Sequence, residues 1–191
     1  VKPTVLLDVD GILANFIAPV LDHIVEVSGR RYAHDDVKVW DIFTALPDVA
    51  HLESAVYDQM RMKRACFEIP LYDGAVDGVA RLQELADVLI VTSPLSGSPY
   101  WMFEREAWLS HHFGIKHKDI IHARRKEHVD GDIFVDDKVE HVEAWQKQHP
   151  TKWALLWDQP YNRMSRHPRV RSWEELHQAV ASLEFRANLF R

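Results

Sequence analysis

Asp8 and Asp10 flank a single valine directly after the apolar run Val5-Leu6-Leu7. If that run is a strand, its alternation puts both carboxylates on one side and turns Val9 away. Other apolar runs also end in reactive groups. Val88-Leu89-Ile90-Val91 leads into Thr92-Ser93-Pro94, Ile133-Phe134-Val135 into Asp136-Asp137, and the run at 153–157 into Asp158. As neighbours in a parallel sheet, these ends would meet at one edge. Three or four carboxylates gathered there repel one another unless a cation sits among them, and an all-oxygen donor set favours Mg²⁺ over zinc. A carboxylate beside such an ion can attack phosphorus. A second carboxylate two residues on can serve as general acid and then general base. A phosphate also needs donors and positive charge. Thr92 and Ser93 supply the first, and Arg105, Arg124 and Lys126 are candidates for the second. Taken singly, Asp-x-Asp is usually a turn and Asp136-Asp137 a helix cap. Their order along the chain and their shared place at strand ends distinguish them.

The elements that must position these groups alternate. Short apolar runs predict strands at 4–9, 88–91, 120–121, 133–135 and 153–157. Apolar residues at helical spacing predict helices at 76–86, 99–113 (closed by Gly114), 138–148 and 172–184, the last with Ser172 and Glu175 at capping-box spacing. This alternation predicts an α/β fold, a Rossmann-like three-layer parallel sheet. About eighty residues separate the first two strands, where a simple crossover needs only a dozen or so. Residues 16–74 therefore read as an insertion, helical at 17–28 and 50–64, forming a small cap. Residues 1–15 and 75–191 form the core. An insertion at this point lies over the carboxyl ends of the strands, where ligands bind in open α/β sheets, and is a candidate lid.

Composition narrows the function classes. The chain has 191 residues, 47% of them hydrophobic, and a formal net charge of −6. That is a poor balance for a general nucleic-acid binder. A single cysteine, Cys66, excludes an intrachain disulfide and fits a reducing compartment. No apolar run approaches the roughly 20 residues of a membrane helix, and no secretory leader is expected, so a cytoplasmic protein is expected. Twelve histidines are scattered without zinc spacing. Arg163, Arg166, Arg169 and Arg171 form a basic stretch without acids, either a solvated loop or a guide for an anionic substrate.

Asp8-Val9-Asp10-Gly11-Ile12-Leu13-Ala14, Val91-Thr92-Ser93-Pro94 and Phe134-Val135-Asp136-Asp137 resemble the first, second and fourth motifs of the haloacid dehalogenase (HAD) superfamily. With Asn15-Phe16, the segment from Glu104 to Gly114, and Trp157-Asp158-Gln159-Pro160-Tyr161-Asn162, the chain is similar to the 5′(3′)-deoxyribonucleotidase family over residues 4–162. The resemblance implies an HAD-like core with its cap, and a Mg²⁺-dependent phosphomonoesterase acting on nucleoside monophosphates. It implies Asp8 as nucleophile and Asp10 as acid and base, with the Asp10 backbone carbonyl also on the metal. Asp137 becomes a direct metal ligand alongside Asp8, with Asp136 behind it or exchanging roles with it. Thr92 and Ser93 hold phosphate, Arg105 stands where the third-motif cation, usually lysine, is expected, and Arg124 and Lys126 lie near the phosphate. Phe16 falls at the base-stacking position, and Trp40 and Phe67 of the insertion would extend an aromatic pocket. The expected partner is a small phosphomonoester, with no membrane and no stable nucleic-acid partner; exposed aromatics would suit a homodimer. Base preference, 5′ against 3′ preference and pathway stay open. So do two other readings. One is a phosphatase for a sugar or organic phosphate or for a phosphorylated nucleic-acid end. The other is a non-catalytic nucleotide-binding module.

Overall fold

The computed structural model describes residues 2–189, with side chains through residue 182. Six parallel strands form one sheet: β1 (Thr4–Leu7), β2 (Asp87–Thr92), β3 (Ile120–His122), β4 (Ile133–Asp136), β5 (Trp153–Trp157) and β6 (Arg169–Val170), in the order β3-β2-β1-β4-β5-β6. The two strands bearing the aspartates are adjacent and central. Leu7 pairs with Ile90 of β2 on one side and with Val135 of β4 on the other.

Strand alternation decides which layer each residue feeds. Leu6, Val91, Phe134 and Leu156 face one side and pack under α6 (Val139–Gln148), where the Trp145 ring stacks on Phe134 at 5.4 Å. Val5, Leu7, Ile90 and Val135 face the other side, beneath α4 (Ala75–Leu85), α5 (Trp101–Phe113) and α7 (Trp173–Leu189). Helices thus cover both faces, which explains why the central strands are apolar throughout rather than alternating. Each large side chain so buried contributes roughly 1.5–3 kcal/mol. The side chain of Leu183, expected in the apolar stripe of the last helix, lies outside the described residues.

Between β1 and α4 the chain runs through α1 (Ile17–Ser28), α2 (Ile42–Ala45) and α3 (Glu53–Met60), with 3-10 turns at His34–Asp36 and Pro47–Leu52. The helix expected at 50–64 is shorter than its periodicity suggests. It ends at Met60, and the chain then turns at Arg64, whose φ of 77° is left-handed and whose N–H is held by buried Glu104 Oε1 at 2.6 Å. β6 was not expected; two residues carry too little pattern to be read.

Candidate active site

At the end of β1 the chain leaves the sheet in a tight turn. Asp8 N–H donates to Val135 O at 3.0 Å, and the N–H groups of Leu13 and Ala14 both donate to Val9 O, at 2.8 and 2.9 Å. Gly11 has φ +79°; a Cβ there would overlap the Asp137 carboxylate and lie 2.7 Å from Tyr161 Oη. Glycine is needed both for the left-handed turn and for that close approach.

The carboxylates do converge. One oxygen from each of Asp8, Asp136 and Asp137 lies within 4.8 Å of the others, and all three residues are buried. Lys126, 1% exposed, places Nζ 2.7 Å from Asp8 Oδ2 and 2.7 Å from Asp136 Oδ2. Asp136 has both oxygens engaged: its Oδ1 accepts from Lys138 N–H at 2.8 Å, and His141 Nδ1 lies 3.1 Å from its Oδ2. Burial opposes ionisation of Asp136, but Lys126 and His141 outweigh it and hold the carboxyl down to about 2. Asp8 goes the other way. Burial, assisted by Asp136 and Asp10, pushes it up to about 7 against the pull of Lys126. Burial, Asp136 and Asp8 also raise Asp137 well above the usual carboxylate range. Tyr161 Oη donates to Asp137 Oδ2, while Asp137 Oδ1 is buried with no partner among the described residues.

A cavity of about 440 Å³ opens over this floor, with Asp8, Asp10, Ser93, Arg124, Lys126 and Asp137 on its wall. Its roof comes from the insertion. Glu53, Tyr57 and Arg61 recur every fourth residue along α3 and its end, so they share one face. Arg61 Nε donates to Ser96 O at 2.8 Å, and Ser98 Oγ donates to Arg61 O at 3.1 Å, tying the roof to the loop after β2. On the other side Trp40 meets Tyr161 edge-on at 5.4 Å, with Lys138 Nζ 4.7 Å from its ring. Phe16 and Trp101 line the wall between, 6.0 Å apart.

Four expected site residues lie elsewhere. Arg105 is fully buried and off the cavity wall, with Nη2 donating to Asp10 Oδ1 at 2.6 Å; the cation touching Asp8 is Lys126. The structure thus puts a lysine after β3 against Asp8, and the arginine on α5 against Asp10. Thr92 ends β2 with its hydroxyl buried and without a partner among the described residues, and it is Ser93, one residue on, that reaches the wall; its Oγ donates to Ala123 O at 2.9 Å. Phe67 is also absent from the wall and packs on His111 of α5 at 5.9 Å. Asp158 is drawn away by Arg169 (2.6 Å) and Arg163 (3.1 Å), so half of the basic stretch neutralises a carboxylate of its own chain.

Sequence reasoning missed the bracing after β5. Gln159 Nε2 donates to Gly11 O at 2.6 Å, and Asn162 Nδ2 donates to Asp137 O (2.8 Å) and Trp157 O (2.7 Å). The signal was available as polar residues following a strand end, the same rule that found the aspartates. His141 and Tyr57 carried no such signal.

The family model for "5′ nucleotidase, deoxy (Pyrimidine), cytosolic type C protein" matches residues 2–189. The human cytosolic-type 5′(3′)-deoxyribonucleotidase is 30% identical over 188 residues, covering 90% of this chain and 89% of the relative. The 5′(3′)-deoxyribonucleotidase of Bacillus subtilis is 24% identical over 181 residues, covering 92% and 96%. Among solved structures, a magnesium-bound HAD hydrolase of Bacillus subtilis superposes with a TM-score of 0.57 at 19% identity, covering 94% of this chain and 98% of that one, and speaks for the fold. With the sheet order, the strand-end carboxylates and these matches together, the chain has an HAD-like fold and belongs to the cytosolic type C 5′-nucleotidase family, a family of phosphatases.

Proposed function

We propose that this protein is a Mg²⁺-dependent phosphomonoesterase that hydrolyses nucleoside monophosphates, deoxyribonucleotides foremost, through a phospho-aspartate on Asp8. The observation that carries this reading is the Asp8 carboxylate itself, buried against Lys126 yet on the wall of a cavity it shares with Asp10 and Asp137. The residues present fit a hard divalent cation. Three buried carboxylates face one lysine, Asp137 Oδ1 has no partner among the described residues, and the donors are all oxygen. Asp8, Asp137 and the Asp10 backbone carbonyl would hold the ion. Asp136, whose oxygens are already engaged, would support from behind. When bound, the ion offsets the phosphate's negative charge.

In the first step the Asp8–phosphorus bond forms as the ester P–O bond breaks, and Asp10 supplies a proton to the leaving oxygen. In the second, Asp10 takes a proton from a water whose oxygen bonds to phosphorus as the Asp8–phosphorus bond breaks, which releases inorganic phosphate and restores the Asp8 carboxylate. Lys126 balances charge on Asp8, while Ser93 and Arg124 stand on the wall to receive phosphate oxygens. Residues 16–74 act as the cap that excludes water and reads the leaving group. The walls of Phe16, Trp40, Tyr57 and Trp101 suit a planar base better than a sugar phosphate, and the names of the relatives point the same way. A lone buried cysteine suits a reducing compartment, which supports the cytoplasm as its place of work. Among the described residues, no helix is long and apolar enough to cross a membrane.

The test is phosphate release from a panel of nucleoside monophosphates, sugar phosphates and 5′-phosphorylated oligonucleotides, with Mg²⁺ or EDTA, for wild type and Asp8→Asn. Mg²⁺-dependent turnover of mononucleotides that is absent in the variant is expected. Turnover confined to sugar phosphates would remove the nucleotide claim, and turnover surviving Asp8→Asn would remove the mechanism.

A further inference from the structure

Arg105 breaks the usual rules for a buried arginine. Its side chain is 0% exposed, and among the described residues its Nε and Nη1 have no hydrogen-bond partner. The guanidinium lies between two buried indoles, with Cζ 5.3 Å from the ring centroids of Trp101 and of Trp108. Cation–π faces thus take the place of most of the hydrogen bonds it forgoes. Nη2 makes the remaining strong contact, donating to Asp10 Oδ1 at 2.6 Å. A methionine would fill this space without desolvating a charge. A cation retained with two unsatisfied donors is a local cost of the kind found where function requires it.

We infer that Arg105 is a positioning residue for the proton transfer. The Trp101–Trp108 clamp fixes its guanidinium, which holds Asp10 Oδ1 so that Oδ2 faces the leaving oxygen. Asp10 is 25% exposed and on the cavity wall, while Arg105 is not, so Arg105 acts through Asp10 and touches no substrate. The inference rests on the proposed role of Asp10. In the step it governs, the electron pair of the breaking P–O bond stays on the leaving oxygen, which takes the proton from Asp10 Oδ2 as Asp8 bonds to phosphorus.

The consequence is a leaving-group signature. kcat/KM reports events through transfer to Asp8, so it isolates the protonated departure. For a series of substituted phenyl phosphates, log kcat/KM is plotted against the pKa of the leaving phenol for wild type, Asp10→Asn, Arg105→Met and Arg105→Lys. Arg105→Met is expected to steepen the slope, losing about 100-fold on poor leaving groups and little on p-nitrophenyl phosphate, within the range typical of general acid catalysis. Asp10→Asn should steepen it at least as much, and Arg105→Lys should fall between. In the double variant, Arg105→Met should add little to Asp10→Asn. A uniform loss across the series in folded Arg105→Met would reduce Arg105 to a structural role and overturn the inference. If Arg105→Met does not fold, Arg105→Lys decides on the same plot, and a wild-type slope overturns it. An unchanged slope in Asp10→Asn would instead remove the acid role of Asp10, which is a separate failure.

Discussion

On the floor of the cavity Asp8, Lys126, Asp136 and Asp137 are each no more than 6% exposed, and side-chain contacts link them into one cluster. In the roof, Glu53 is exposed, Trp40 is 44% exposed, and Tyr57 and Arg61 are half-buried. The floor is built from strand ends that the sheet holds in register. The roof hangs from a short helix, with Arg61 tying it to the loop after β2 on one side and Trp40 meeting Tyr161 on the other. Rigid, desolvated charge suits bond making; a half-exposed aromatic surface suits selection of what enters. Floor substitutions should therefore appear in kcat, and roof substitutions in KM.

The largest effect tests the floor directly. Asp8→Asn should lower kcat by on the order of 10⁴-fold with the fold intact by circular dichroism. Retention of a tenth of the activity would mean that the floor does not act through that carboxylate. Next, Lys126→Met leaves Asp8 and Asp136 without their shared cation. It should cost about 10²–10³-fold in kcat and about 3–5 kcal/mol of stability in urea titration. A variant as stable as wild type would break the claim that the floor is interlocked. Gly11→Ala forces the Asp137 carboxylate and Tyr161 aside and places a methyl group on a left-handed residue, so the Mg²⁺ concentration for half-maximal rate should rise about tenfold, at about 1–3 kcal/mol of stability. Trp40→Ala should raise KM for a nucleotide about tenfold and leave kcat within about twofold; the reverse split would move Trp40 to the floor. The smallest effect belongs to Phe67→Ala. With its ring on His111 rather than the cavity, KM should stay within about twofold while stability falls by about 1–2 kcal/mol.

The contrast between floor and roof also marks how far the sequence could be read. Strands β1, β2, β4 and β5 announce themselves as short apolar runs, and their polar ends point to Asp8, Asp10, Ser93 and Asp137 because period and position are local properties. The excursion after β1 is legible from its length alone. What the chain does not display is contact across distance. Arg105 and Lys126 are both cations after a strand, and nothing in their own segments tells which one reaches Asp8. The answer depends on the turn after β3 bringing Lys126 in between β1 and β4, while α5 carries Arg105 under Trp101 and Trp108. Phe16 and Trp40 reach the wall and Phe67 does not, for a similar reason. The left-handed residue at Arg64 turns that segment toward α5, and helical periodicity gives no warning of it.

The bond from Gln159 to Gly11 O has a consequence for biogenesis. It joins residues 148 positions apart, and the Asn162 bonds that brace Asp137 belong to the same late loop. At a synthesis rate of about 5–20 residues per second, the turn at Gly11 emerges from the ribosome about 7–30 seconds before its last brace. Throughout that interval the nascent chain carries the first aspartates but not the loop that completes their surroundings. Truncated or stalled chains ending before residue 159 would therefore be inactive, and activity would begin only once the segment through Asn162 has been made.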